Sequence, residues 1–168
     1  MCQPVSFIVR RNDVYRSPSG NDSHSDMLRE LKLKDDSRSP DFVRVELTMD
    51  CDARKVESYR YKCDQDWVPE WYSDKEAELA CREKLAALIR EGIKLGGSLW
   101  DCPGLTSLPE GIKLGGSLWD CPGLTSLPED IKLGGRLRNC KNLNIPDDRW
   151  YTLAEARAIM ARGVKACR

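Results

Sequence analysis

Residues 92–110 read GIKLGGSLWDCPGLTSLPE, and residues 111–129 repeat them without a single change. Residues 130–146, DIKLGGRLRNCKNLNIP, form a third, degenerate and shorter copy. Chance does not produce nineteen identical consecutive residues, so this is a duplication. It constrains the fold more than any other feature, because a fixed period means that each unit meets a copy of itself. Apolar positions recur in register: Ile93/Ile112/Ile131, Leu95/Leu114/Leu133, Leu99/Leu118/Leu137, Leu105/Leu124/Leu143 and Leu108/Leu127. Gly-Gly and Pro-Gly break every unit and exclude a long helix. One unit is too short to bury its own leucines, so we expect stacked coils with a short parallel strand in each.

The pattern Leu99-x-x-Cys102-x-x-Leu105-x-x-Leu108-Pro109, its copy at 118–128, and Leu137-x-x-Cys140-x-x-Leu143 resemble the leucine-rich-repeat family, in particular its short bacterial and phage forms. Cys102, Cys121 and Cys140 stand where that family carries its Asn or Cys. The resemblance implies a short solenoid of about three coils. Two departures stand out: family units run to about 20 residues or more, and the usual Leu-x-Leu strand is contracted here to Leu99-Trp100.

Such a stack needs covers at both ends. Ser73-x-x-Glu76 reads as a capping box opening a helix that ends at Gly92, with Leu79, Leu85, Leu88 and Ile89 placed to seal the first coil. Thr152-x-x-Glu155 is a second capping box. Its helix offers Leu153, Ala156, Ile159, Met160 and Val164 as a seal for the last coil.

Upstream, residues 5–9 and 13–16 read as a β-hairpin, 25–33 as a short helix, and 42–47 as a strand closed by Thr48 and Met49. Residues 56–63 alternate as a further strand. The fold class is therefore α+β: a β-β-α-β-β-α module at 1–72, a linking helix at 73–91, leucine-rich repeats at 92–146, and a capping helix at 147–168. The module, with its FVRVE strand and the segment KCDQDWVPEWY at 62–72, is similar to N-terminal modules of small phage and prophage proteins. That resemblance implies a mobile-element setting and no particular chemistry.

Lys plus Arg and Asp plus Glu are equal at 27 each, so no global field draws nucleic acid or an anionic membrane. No apolar run reaches the roughly 20 residues of a membrane span, and the N-terminus lacks a signal-peptide layout. A cytoplasmic protein is expected, in the host cell if phage-encoded. The eight cysteines include no C-x-x-C or C-x-x-H pair, so we expect buried reduced thiols and no metal site. His24, the only histidine, has no partner placed by sequence and is expected at the surface or at a helix cap. No phosphate loop, G-x-S-x-G or H-E-x-x-H occurs, so no catalytic residue and no cofactor are expected.

Function then rests on surfaces. If Leu99 points inward, its neighbour points outward, placing Trp100 and Trp119 on an exposed face beside Arg138. Trp and Arg are enriched at binding hot spots; the competing reading puts the indoles in the core. Asp101 and Asp120 form a charged ladder on the same units, as do Lys94, Lys113 and Lys132, most simply as solvated faces. Asp64, Asp66, Trp67, Trp71 and Tyr72 are a possible secondary contact, with Trp67 and Trp71 alternatively packing the module against the first repeat. We expect a protein-binding protein whose partner, in a phage setting, is a host protein such as a defence component. One alternative is a small enzyme or nucleotide-binding module in residues 1–72, using Arg10, Arg44, Arg60 or Cys2, with the repeats as a targeting arm. Another is a structural protein whose open edges stack head to tail into a homo-oligomer.

Overall fold

A computed structural model describes residues 4–146 and 149–165. The chain is mixed α+β. Its first part is a four-stranded antiparallel sheet of order β2-β1-β3-β4, built from β1 (Pro4–Arg10), β2 (Asp13–Tyr15), β3 (Phe42–Met49) and β4 (Tyr59–Cys63). Helix α1 (His24–Glu30) enters between β2 and β3, and α2 (Asp74–Arg90) follows β4. The element order matches the expected β-β-α-β-β-α. One segment differs: residues 56–58 form a 3-10 turn, so the last strand begins only at Tyr59.

Strand β3 shows why the sheet is covered on both sides. Val43, Val45, Leu47 and Met49 are buried on one face and belong to the main apolar cluster with Val5, Phe7 and Val9. Ile8 and Phe42 join Met27 and Leu28 of α1 in a second, smaller cluster. The main cluster continues without a break through Leu85 of α2 into the repeat leucines and on to Ala156.

Each repeat unit contributes two strands of two residues, where the sequence pattern suggested one. β5 (Lys94–Leu95), β7 (Lys113–Leu114) and β9 (Lys132–Leu133) form one parallel ladder, with Lys113 opposite both Lys94 and Lys132. β6 (Leu99–Trp100), β8 (Leu118–Trp119) and β10 (Leu137–Arg138) form the other, with Leu118 opposite both Leu99 and Leu137. Strands this short carry no alternation to read, so the second ladder was invisible in the sequence. Leu99, Leu118 and Leu137 are fully buried, each worth about 1.5–3 kcal/mol of transfer free energy.

Hydrogen bonds also repeat in register. Gly115 N–H donates to Leu95 C=O and Gly134 N–H to Leu114 C=O, both at 2.8 Å. Ser117 N–H donates to Ser98 Oγ at 2.9 Å and Arg136 N–H to Ser117 Oγ at 3.1 Å. The glycines serve close approach: a Cβ on Gly115 would lie 2.4 Å from Gly96 O, and one on Gly134 2.3 Å from Gly115 O.

The cover over the first unit is not the one expected. Leu79 of α2 is 61% exposed, so that helix does not turn its full apolar stripe to the repeats. The Ser73 side chain makes no cap hydrogen bond, so the first capping box is not formed. Two loops of the N-terminal sheet cover the unit by imitating a preceding repeat. Gly96 N–H donates to Gly20 C=O at 2.8 Å, and Thr106 N–H to Cys51 C=O at 2.8 Å, as Thr125 N–H donates to Thr106 C=O one unit later. Ser107 Oγ–H donates to Asp52 Oδ1 at 2.7 Å. Arg16, buried beside Asp22 at 2.8 Å, reaches Lys94 C=O at 3.3 Å.

At the other end the second capping box is formed. Glu155 N–H donates to Thr152 Oγ1 at 3.2 Å, and Thr152 N–H to Glu155 Oε2 at 2.8 Å. These bonds hold the Glu155 carboxyl down to about 2. Helix α3 (Leu153–Lys165) places Ala156, Leu153, Ile159 and Met160 on the main cluster; the Val164 side chain lies outside the described residues. Tyr151 pairs antiparallel with Leu137, so the β10 edge, expected to be open, is met by the chain itself.

Candidate functional site

In each β6-type strand the leucine faces inward and its neighbour outward. Trp100 is 42% exposed, Trp119 is half-buried and Arg138 exposed. Parallel in-register strands set equivalent side chains above one another about 4.8 Å apart, and the indoles follow. Their centroids are 5.4 Å apart and their planes 12° from parallel. The third unit offers Arg138 instead, and a residue the sequence reading missed completes the surface. Trp150, brought back by the Tyr151–Leu137 pairing, meets Trp119 edge-on at 6.2 Å, and the Arg138 guanidinium lies 5.9 Å from its ring centroid. The result is a row of three indoles ending in a cation. A tryptophan immediately ahead of a capping box was the available signal.

The next residue in each unit has a backbone explanation. Asp101, Asp120 and Asn139 all have left-handed φ, at 51°, 52° and 50°. Asp and Asn tolerate this region better than other side chains that carry a Cβ, and it turns the chain sharply out of the strand. The aspartate ladder is thus first a turn requirement. Asn139 Nδ2 donates to Asp120 Oδ1, so the third unit replaces a second like charge with a donor. Lys94 and Lys132 are exposed and Lys113 is half-buried, beside the inward leucines of the other ladder.

The cysteines divide. Cys81, Cys121 and Cys140 are buried free thiols, while Cys51 is exposed and Cys63 half-buried, which corrects the expectation of uniform burial. Burial pushes the Cys81 thiol up to about 12, so it is inert at neutral pH. Cys102 is disulfide-bonded, so the reduced-thiol expectation fails there.

The segment after β4 separates into unlike parts. Trp71 donates from Nε1 to Pro40 C=O at 2.7 Å and stands edge-on to Tyr72 at 6.3 Å. Tyr72 Oη–H donates to Asp74 Oδ1 at 2.9 Å and meets the Tyr61 hydroxyl. Both rings are half-buried, among residues of the N-terminal part rather than against the first repeat. Trp67 is 40% exposed, contrary to the packing expected of it. Asp66 is exposed and Asp64 half-buried.

Arg10, Arg44 and Arg60 do not share one pocket. Arg10 lines a shallow cleft between the hairpin turn and α2, beside Asp13, Trp71 and Glu76. Arg44 is held by Asp35 and Gln65, and Arg60 pairs with Asp50 at 3.7 Å. Cys2 lies outside the described residues.

His24 departs most from expectation. The residue capping α1 is Ser23, whose Oγ accepts from Asp26 N–H. The His24 side chain is only 10% exposed, with Nδ1 3.4 Å from Asp64 Oδ2 and Nε2 3.2 Å from Val45 O. With Glu46 it forms a group whose nitrogen and carboxylate oxygens all lie within 4.8 Å of one another. The sequence reading placed no metal site, because these three residues are far apart along the chain.

Among the described residues, no helix is long and apolar enough to cross a membrane. No protein-family model, no curated protein and no solved structure matches this chain.

Proposed function

We propose that residues 92–146 are a short leucine-rich-repeat solenoid whose outer face is a docking platform for another protein, and that this is the chain's function. The observation that carries the reading is the indole row of Trp100, Trp119 and Trp150 ending in Arg138. An exposed aromatic stack on rigid short strands loses little conformational freedom on binding, and its Trp and Arg are the side chains that dominate interface energetics. Asp101, Asp120, and more remotely Trp67 and Asp66, add contacts at its margins. The resemblance to short phage and bacterial repeat proteins makes a host protein, such as a defence component, the proposed partner. The reading needs neither cofactor nor catalytic residue.

The test compares capture of partners from host lysate by the intact chain and by the Trp100→Ala/Trp119→Ala double variant. We expect the double variant to lose the captured protein while keeping its far-ultraviolet circular dichroism. Stability should fall by only about 0.5–1.5 kcal/mol, the worth of one aromatic pair. If the variant unfolds, the indoles belong to the core and the docking reading fails; if capture is unchanged, it fails as well.

A further inference from the structure

We propose that His24, Glu46 and Asp64 form a binding site for a divalent first-row transition metal of the zinc class, with one coordination position open to water. The argument begins with what orients each ligand. His24 stands at the start of α1, Glu46 on β3, and Asp64 one residue past β4. The Nε2 of His24 faces the Val45 carbonyl at 3.2 Å. A carbonyl only accepts, so that nitrogen carries the proton and Nδ1 presents a lone pair. This is how proteins orient metal-binding imidazoles, with the second ring nitrogen donating to a backbone carbonyl. The lone pair points towards Asp64 Oδ2, another acceptor, at 3.4 Å. That gap is long for a charge-assisted hydrogen bond, which closes to about 2.7–2.9 Å. It equals the ligand-to-ligand edge of a tetrahedron with bonds of about 2.1 Å.

Asp64 is arranged for the same task. Its Oδ1 takes Lys62 Nζ at 3.0 Å, leaving Oδ2 for the cluster. Its backbone N–H is tied to Arg44 C=O at 2.8 Å. Arg44, the nearest guanidinium, is occupied by Asp35 and Gln65. Glu46 is half-buried, and no hydrogen bond or ion pair joins its carboxylate to any described residue.

A second observation comes from the neighbouring strand. Ser6 lies directly across the ladder from Glu46, on the same sheet face, and is fully buried. Its Oγ has no hydrogen-bond partner, although buried hydroxyls are almost always satisfied, and an orphan of this kind points to a missing water or ion. One imidazole with two carboxylates selects zinc, cobalt or manganese over the all-oxygen preference of magnesium and calcium. Three protein ligands leave a fourth position, as in metal sites that hold water.

The test uses the full chain, stripped with chelator. Zinc chloride is titrated calorimetrically, and cobalt chloride is followed by visible absorption. We expect one equivalent of each to bind, with cobalt d–d bands and no thiolate charge-transfer band. Glu46→Gln, which keeps the shape, should weaken affinity by at least about tenfold, more than the loss of an outer-sphere partner. The metal-free Glu46→Gln chain should melt as the parent does, so the test survives even if His24→Ala fails to fold. Absence of zinc binding would overturn the proposal. So would unchanged affinity in Glu46→Gln, or a thiolate band showing that Cys51 or Cys63 holds the metal.

Discussion

The four-stranded sheet and the stacked units solve the same packing problem in opposite ways. In the sheet, strands of up to eight residues alternate inward and outward, and every position meets a different residue. Phe7 faces Val45 and Ser6 faces Glu46. In the stack, strands of two residues suffice because every position meets its own copy: leucine on leucine, glycine on glycine, indole on indole. A side chain in the sheet is judged against varied neighbours, and space can be traded among them. A side chain in the stack must suit itself at the distance of one unit. That favours residues content with their own kind and punishes any added atom where backbones touch.

The largest expected effect tests this self-matching. Gly115→Ala puts a Cβ 2.4 Å from Gly96 O, whereas at Gly96 the nearest atom, Gly20 O, would be 3.1 Å away. We expect Gly115→Ala to cost about 3 kcal/mol or more, as backbone overpacking does, and Gly96→Ala clearly less. Urea-denaturation midpoints check the order; equal costs would remove close stacking as the basis of the contrast.

The next effect concerns the seam between the two regions. Asp52 is nearly buried, accepts from Arg54 Nε and Nη2 at 2.9 Å each, and accepts from Ser107. The Arg54 hydrogen bonds, with Ser107 adding to them, hold its carboxyl well below the usual carboxylate range. A depressed carboxyl stabilises the fold above its unfolded value, and that stability is lost as pH falls through the folded value. Asp52→Ala should cost about 1–3 kcal/mol at neutral pH. Asp52→Asn should flatten the loss of melting temperature below about pH 4. If the parent and Asp52→Asn chains melt in parallel down to pH ~2, the seam does not depend on this carboxylate.

The smallest effect sharpens the reading of the aspartate ladder. At the φ of 52° held by Asp120, alanine should cost about 1–2 kcal/mol, while Asp120→Gly or Asp120→Asn should stay close to the parent by thermal melting. A glycine variant as unstable as the alanine variant would shift the explanation from backbone conformation to the Asn139 contact.

Much of the stack was legible in advance. The register of Leu99, Leu118 and Leu137 follows from identity alone, because identical units dock in one register or none. The outward Trp100 follows from the inward Leu99. The Thr152–Glu155 box formed as read, being a contact within a single helical turn. The Ser73–Glu76 box did not, and there Asp74 of the same turn receives the Tyr61 and Tyr72 hydroxyls instead. Leu79 misled because an apolar residue in a helix does not say which face finds a neighbour. Trp150 was hidden because its place depends on a chain reversal after the last unit.

The chain's own pattern dictates periodicity, which leucines stack, and which side chains form a ladder, since these depend on each unit meeting its duplicate. Folding in three dimensions decided what covers the first unit, where Cys51 and Gly20 stand in for a repeat they do not resemble. It also decided that His24 meets Glu46 and Asp64. Those contacts join segments that share no period, so only the path of the sheet and its loops brings them within bonding distance.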